Sequence, residues 1–228
     1  YCALPHAGIF AVADGMGGHE HGEWASAAVA AALAAIESDG SFDEGVNAVA
    51  AAIHGANARV YEEAQALGVQ MGTTVVCAVV RERRFGILWA GDSRAYLLRA
   101  GALHQLTRDH TQVQELIDRG ILPADAAENH PMAHILSRAL GVAAEIELEA
   151  VADEAKSGDL FLLCSDGLMS VVEDREIAAM LADPLNNSPE QLIALARSRG
   201  APDNVTVITI SANEPTLLRL GEAAELVP

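Results

Sequence analysis

Thr74-Val75-Val76-Cys77-Ala78-Val79-Val80 is apolar throughout and does not alternate. It ends an apolar segment from Gly72 to Val80, and two more follow at Arg84 to Ala90 and Arg94 to Arg99. The links Arg81-Glu82-Arg83 and Gly91-Asp92-Ser93 are far too short for a parallel crossover. The three segments therefore read as antiparallel neighbours. An antiparallel strand with one face in water alternates, so a strand that is apolar on both faces has both covered. One face then meets a second sheet and the other meets helices. The prediction is an α+β fold, a four-layer α-β-β-α sandwich of two antiparallel sheets flanked by helices.

The remaining pattern supplies the outer layers. Glu20 to about Ser38 reads as an Ala-rich, close-packing helix. Phe42 to Leu67 reads as a second helix, with Val46, Val49, Ile53, Val60 and Leu67 at helical spacing. Ile146 to Val151, Asp159 to Cys164 and Val205 to Ile210 read as strands, Asp174 to Leu181 and Pro189 to Arg199 as helices. Between them lies a polar, irregular stretch with a short amphipathic piece at Val113, Leu116 and Ile117, then Gly120 and Pro123. It reads as an inserted flap over about 107–135. The expected organisation is one catalytic domain over 1–212 and a tail or linker over 213–228.

Composition narrows the function. The 228 residues are 51% hydrophobic but only 4% aromatic, so the core is built of Ala, Val, Leu and Ile. A net charge of -18 opposes binding to nucleic acid and suits divalent cations. The one lysine, Lys156, follows no glycine, which excludes a P-loop. Cys2, Cys77 and Cys164 are scattered and odd in number, as in a reduced, cytoplasmic chain. Ala25 to Ile36 is apolar but too short to cross a bilayer, so no membrane insertion is expected of this segment.

Three aspartates border apolar runs. Asp14 follows Gly8-Ile9-Phe10-Ala11-Val12-Ala13 and opens the glycine-rich stretch Asp14-Gly15-Met16-Gly17-Gly18-His19. Asp166 follows a run ending in Cys164-Ser165, and Asp203-Asn204 precedes Val205. If the sheets bring these ends together, three carboxylates repel one another until divalent cations relieve the charge. Oxygen-only ligands favour Mg²⁺ or Mn²⁺ over Zn²⁺. Spacing alone leaves open whether the three converge or are separate turn residues.

The order of motifs resembles the bacterial metal-dependent type 2C protein serine/threonine phosphatases, the PPM family. The matching segments are Val12-Ala13-Asp14-Gly15-Met16-Gly17-Gly18-His19, Met71-Gly72-Thr73-Thr74, Ala90-Gly91-Asp92-Ser93-Arg94, Leu106-Thr107-Arg108-Asp109-His110-Thr111, Leu136-Ser137-Arg138-Ala139-Leu140-Gly141, Leu163-Cys164-Ser165-Asp166-Gly167-Leu168 and Pro202-Asp203-Asn204-Val205-Thr206. They run in the family's order over residues 8–211.

The resemblance implies a metal-bound water held by Asp14, Asp166 and Asp203, acting on phosphoserine or phosphothreonine in proteins. Asp14 would bridge two Mn²⁺ or Mg²⁺ ions, and the Gly15 carbonyl would bind the second. Asp166 and Asp203 would hold the first, and Asp109 would share a third, weaker site with Asp166. Asn204, Asp92, Ser93, Thr73 and Thr74 are expected to support the ligands. The implied partners are phosphorylated proteins, including a Ser/Thr kinase.

The general acid is unassigned. Some relatives carry a histidine where this chain has Met16, which transfers no proton. His19 is a weak candidate, and His110, His130 and His134 are expected to be exposed near the flap. The family also opens with an arginine and an Asn-Glu-Asp-like segment that this chain lacks, so the sequence reads as a catalytic domain without its N-terminal strand and motif. The rival reading is a non-catalytic pseudophosphatase or regulatory module, against which the intact Asp14, Asp166 and Asp203 argue. Thiol chemistry is excluded because Ser170 stands six residues beyond Cys164, where an arginine is required.

Overall fold

The structure is a computed structural model. It describes residues 1–37, 40–123, 126, 130–183 and 188–213. In chain order the strands are β1 (Cys2–Leu4), β2 (Ile9–Val12), β3 (Gly15–Met16), β4 (Gly72–Thr73), β5 (Val75–Arg81), β6 (Arg84–Ala90), β7 (Arg94–Arg99), β8 (Ala102–Gln105), β9 (Glu149–Glu154), β10 (Asp159–Cys164) and β11 (Val207–Ala212). The helices are α1 (His19–Ala34), α2 (Phe42–Leu67), α3 (Gln112–Asp118), α4 (Asp166–Met169), α5 (Asp174–Ala182) and α6 (Pro189–Ser198).

Two antiparallel sheets carry the fold, in the orders β1-β2-β5-β6-β9 and β11-β10-β7-β8. Strand β5 shows why. Val75, Cys77 and Val79 pack against Val29 and Leu33 of α1 and Val49 and Ile53 of α2. Val76 and Ala78 point the other way, toward Leu97, Phe161 and Leu163 of the second sheet. All five β5 side chains are fully buried. At about 1.5–3 kcal/mol per buried valine, neither face could be left in water. Phe85 and Phe161 lock the sheets together, with ring centroids 4.9 Å apart. Behind the second sheet, Leu160, Leu162 and Cys164 pack on Leu168, Ile177 and Leu192 of α4, α5 and α6. The four layers expected from β5 are present.

Local chemistry sets α2. Ser41 caps it reciprocally: its hydroxyl accepts from Glu44 N–H at 3.3 Å, and Glu44 Oε2 accepts from Ser41 N–H at 2.8 Å. The helix stops at Gly68, whose φ of 66° is left-handed.

Several bounds differ from expectation. β9 starts at Glu149 rather than Ile146, because its register on β6 pairs Trp89 with Glu149 and Arg84 with Glu154. As an edge strand it is mostly exposed and polar, so apolar content marks it poorly. Ile146 instead joins the core beneath α2. The last strand is displaced similarly, to Val207–Ala212, by pairing with β10. The short elements β1, β8 and α4 have too few residues for a periodic signal. Within the flap, α3 is a regular helix, its first turn capped by Thr111 Oγ1 accepting from Gln114 N–H at 3.2 Å. Beyond residue 213 the expected tail lies outside the described residues.

Antiparallel pairing gathers specific ends. Val12 of β2 faces Val76, Val75 faces Ala90, and Cys164 faces both Arg94 and Val207. The exit of β2, the entry of β5, the β6–β7 turn, the exit of β10 and the entry of β11 therefore share one end of the sandwich. That end carries Asp14, Asp92, Asp166 and Asp203.

Candidate active site

The backbone at Asp14 is held from three directions. Thr74 N–H and Thr73 Oγ1 donate to its carbonyl at 2.8 and 2.9 Å, and its own N–H donates to Thr74 Oγ1 at 3.2 Å. Thr74 Oγ1 meets Ser93 Oγ at 2.7 Å, which ties this loop to the β6–β7 turn. Thr73, Thr74 and Ser93 are buried hydroxyls spent on framing the loops. Gly15 pairs with Thr73 and presses against Gly22 of α1, where any Cβ would run into the Gly22 carbonyl. Close approach of the helix, as well as loop freedom, explains glycine here.

Ser165 makes the second clamp, one that sequence reasoning missed. Its hydroxyl donates to Asn204 O at 3.2 Å and accepts from Thr206 N–H at 3.1 Å, while its N–H donates to Thr206 O at 3.1 Å. Thus the loops bearing Asp166 and Asp203 are bonded to each other. Asn204 enters through its backbone, and Gly167 leaves the room that lets it approach. A serine between Cys164 and Asp166 has no local signature, and its partners lie some 40 residues away.

Asp14, Asp92, Asp166 and Asp203 line one cavity of about 650 Å³, with Arg138 and Met71 in its wall. Burial pushes the Asp14 carboxyl up to about 7, helped by the charge of Asp166, a hydrogen bond with it, and the charges of Asp203 and Asp92. Asp92 is likewise pushed up to about 7, first by burial, then by Asp166 and Asp109. Asp166 Oδ1 is buried without a hydrogen-bond partner. A buried carboxylate oxygen with no donor is costly unless a cation meets it. Among the described residues, no three His, Cys, Asp or Glu side chains stand close enough together to hold a metal ion as they lie. The carboxylates instead line a cavity that reaches solvent at the exposed Asp203, an arrangement suited to hard cations that keep several waters. This donor set fits Mg²⁺ or Mn²⁺.

Asp109 is not among the cavity-lining residues. It accepts a fork from Arg94, Nε to Oδ1 at 2.9 Å and Nη2 to Oδ2 at 2.6 Å. His110, expected to be exposed, is only 7% exposed. The sequence reading missed its stack on Trp89, with centroids 6.2 Å apart. Its Nδ1 accepts from Gly91 N–H at 3.1 Å and its Nε2 lies 3.2 Å from Glu149, so it staples the β6–β7 turn to β9. His134 is exposed and lines the cavity, and His130 Nδ1 accepts from Met132 N–H at 3.2 Å. His19 opens α1, but its side chain lies outside the described residues. Burial pushes the Cys164 thiol up to about 12, which removes it as a nucleophile.

Carboxylates gathered at one end of two antiparallel sheets, around a cavity open to solvent, define a candidate divalent-cation site on a four-layer sandwich. The chain belongs to the protein phosphatase 2C family, whose model matches residues 3–116. It is 42% identical over 205 residues to the serine/threonine protein phosphatase PstP of Mycobacterium tuberculosis, covering 88% of this chain but 39% of that protein. It is 35% identical to the serine/threonine phosphatase stp of Listeria innocua, covering 90% and 84%. Among solved structures, PppA of Pseudomonas aeruginosa, described as a regulatory component of T6SS, superposes with a TM-score of 0.83 at 39% identity, covering 91% of this chain and 87% of that one. The PstP catalytic domain, solved in complex with two manganese ions, gives 0.79 at 38% identity, covering 90% and 88%. Among the described residues no helix is long and apolar enough to cross a membrane.

Proposed function

We propose that this chain hydrolyses phosphoserine and phosphothreonine in proteins with the help of two Mn²⁺ or Mg²⁺ ions. The observation that carries the proposal is the meeting of Asp14, from one sheet, with Asp166, from the other, in a cavity where one Asp166 oxygen is buried without a donor. Asp14 and the Gly15 carbonyl, with Asp166 and Asp203, would hold the ions. Such ions supply a water of lowered pKa and positive charge against the phosphoryl oxygens.

The chain's own residues do the positioning. Thr73 and Thr74 fix the Asp14 backbone, and Ser165 fixes the Asp203 loop against Asp166. Asp109 would join a third, weaker cation site only by sharing its carboxylate with Arg94. No side chain is assigned as general acid. The substrates would be cytoplasmic phosphoproteins, a Ser/Thr kinase among them.

The test is release of inorganic phosphate from a phosphothreonine peptide, with Mn²⁺ and with EDTA, for the parent and Asp166→Asn. Turnover that needs Mn²⁺ and is lost in the variant is expected. Turnover that survives EDTA or the substitution, or no turnover at all, would overturn the proposal.

A further inference from the structure

Beside the carboxylates the cavity wall turns apolar. Val69, Met71, Ile135 and Val142 line it there. Ile135 is 44% exposed and Val142 58%, two of the five large apolar side chains left so exposed among the described residues. Both border the cavity that holds Asp14 and Asp166. Isolated exposed apolar residues need no explanation, but two of them bordering the same carboxylate-lined cleft do.

Val142 is also held rigidly. The turn around it is clamped by Asn57 of α2, which is 2% exposed. Gly141 N–H donates to Asn57 Oδ1 at 2.8 Å, and Asn57 Nδ2 donates to the carbonyls of Ala143 and Ala144 at 3.1 and 3.0 Å. Leu140, just before, exchanges backbone bonds of 3.0 and 2.9 Å with Thr73, the residue whose hydroxyl holds the Asp14 carbonyl. The turn bearing Val142 and the backbone of Asp14 are therefore parts of one frame. Preorganisation of this kind lowers the ordering cost of binding a flexible peptide.

Charge selects among occupants. Among the described residues four carboxylates line the cavity, and the chain carries a net charge of -18. Among the described residues the one guanidinium in the wall, Arg138, is already engaged, donating to the Glu147 carbonyl at 3.2 Å and lying 3.6 Å from Glu149. An acidic side chain would meet repulsion there, whereas an aliphatic one would cover exposed apolar surface. We propose that Met71, Ile135 and Val142 form a subsite for an apolar residue flanking the phosphorylated serine or threonine of a peptide substrate. This rests on the phosphatase reading above.

The test walks one leucine through each position around phosphothreonine in an otherwise glycine–serine peptide, assayed with Mn²⁺. At one or more positions kcat/KM is expected to rise about tenfold, the scale of a small apolar pocket, and aspartate there to lower it. Val142→Ser or Ile135→Ser should cut that preference to less than about threefold. The preference is a ratio within one protein, so a general loss of activity cancels. A flat leucine scan, or a preference unchanged in both variants, overturns the subsite while leaving the phosphatase reading intact. Failure to hydrolyse any of the peptides overturns both.

Discussion

Arg94 and Asp109 are joined by two parallel bonds, Nε to Oδ1 at 2.9 Å and Nη2 to Oδ2 at 2.6 Å. The same guanidinium donates to Tyr96 Oη at 3.0 Å, and the tyrosine hydroxyl donates to Asp174 Oδ1 at 3.0 Å. One line of polar contacts thus runs from the base of the flap, through β7, to the start of α5. Asp109 has a structural task whatever else it does.

Asp109→Ala should therefore cost stability as well as turnover. The pair is partly buried, with side chains 25% and 16% exposed. Its loss belongs between the small effect of surface pairs and the large one of buried pairs, at about 2 kcal/mol. In a domain of this size that lowers Tm by about 4–8 °C. Calorimetry should still count two Mn²⁺ bound, with kcat reduced. An unchanged Tm would show that the fork contributes no more than a surface pair, and loss of both ions would place Asp109 among the tight ligands.

The carboxyls of Asp14 and Asp92 make the cation-free chain sensitive to pH. Both are raised from 3.8 to about 7, so the folded chain keeps protons that the unfolded chain has released. Stability from these groups therefore falls as pH rises through about 4 to 7, and the loss is complete above that range. In EDTA, Asp14→Asn should melt higher than the parent at pH 7.5, by about 2–4 °C for each kcal/mol of charge burial and repulsion removed. The gap should narrow toward pH 4, and Mn²⁺ should reverse the order by stabilising only the parent. Parallel melting curves of Tm against pH for the two proteins would rule out a charge-strained site.

Much of this was visible in the residues, and the remainder has a physical reason for being hidden. The apolar run at β5 announced two covered faces, and short links announced antiparallel neighbours. Asp14, Asp166 and Asp203 stood out because each sits where an apolar strand meets a turn. Ser165 and Asn57 did not, since their partners lie 39 to 87 residues away. Nothing local distinguishes a clamping serine or asparagine from any other. His110 looked like a loop histidine because its cover, Trp89, comes from a strand 21 residues earlier. Arg94 looked like an ordinary strand residue until pairing of β7 with β8, continued by Leu106 N–H to the Ala95 carbonyl, brought the flap base beside it.

Gly22→Ala pits two effects of opposite sign. Alanine favours the helix interior by about 1 kcal/mol. But a Cβ at Gly22 would stand 2.7 Å from both the carbonyl carbon and the oxygen of Gly15. These are backbone atoms that cannot rotate away, so either α1 or the Asp14–Gly15 loop must move. The clash should win, lowering Tm by several degrees and weakening Mn²⁺ binding, both measurable by melting and calorimetry. A more stable variant with unchanged affinity would mean that the loop yields freely and that its position is not set by α1.

Ser165→Ala tests whether the loops bearing Asp166 and Asp203 must be tied together for cations to bind. The hydroxyl supports Asn204 O and Thr206 N–H, and the residue is only 1% exposed. Removing it leaves a carbonyl and an amide to find other partners, at about 1–3 kcal/mol. The Asp166 backbone need not move, because the Ser165 N–H still donates to Thr206 O. The Asp203 loop, by contrast, loses its link beyond Thr206. Stability should therefore fall modestly, while Mn²⁺ affinity falls about 10–100-fold, the usual range for a residue that orients a ligand. Ser165→Thr, which retains the hydroxyl, should recover affinity if the extra methyl is accommodated, and Ser165→Cys should not, since a thiol is a weak donor and acceptor. Melting and calorimetry on the alanine variant separate the two contributions. Full Mn²⁺ affinity in a destabilised Ser165→Ala protein would assign the serine to folding alone, and would mean that Asp203 finds its position without the bridge to Asp166.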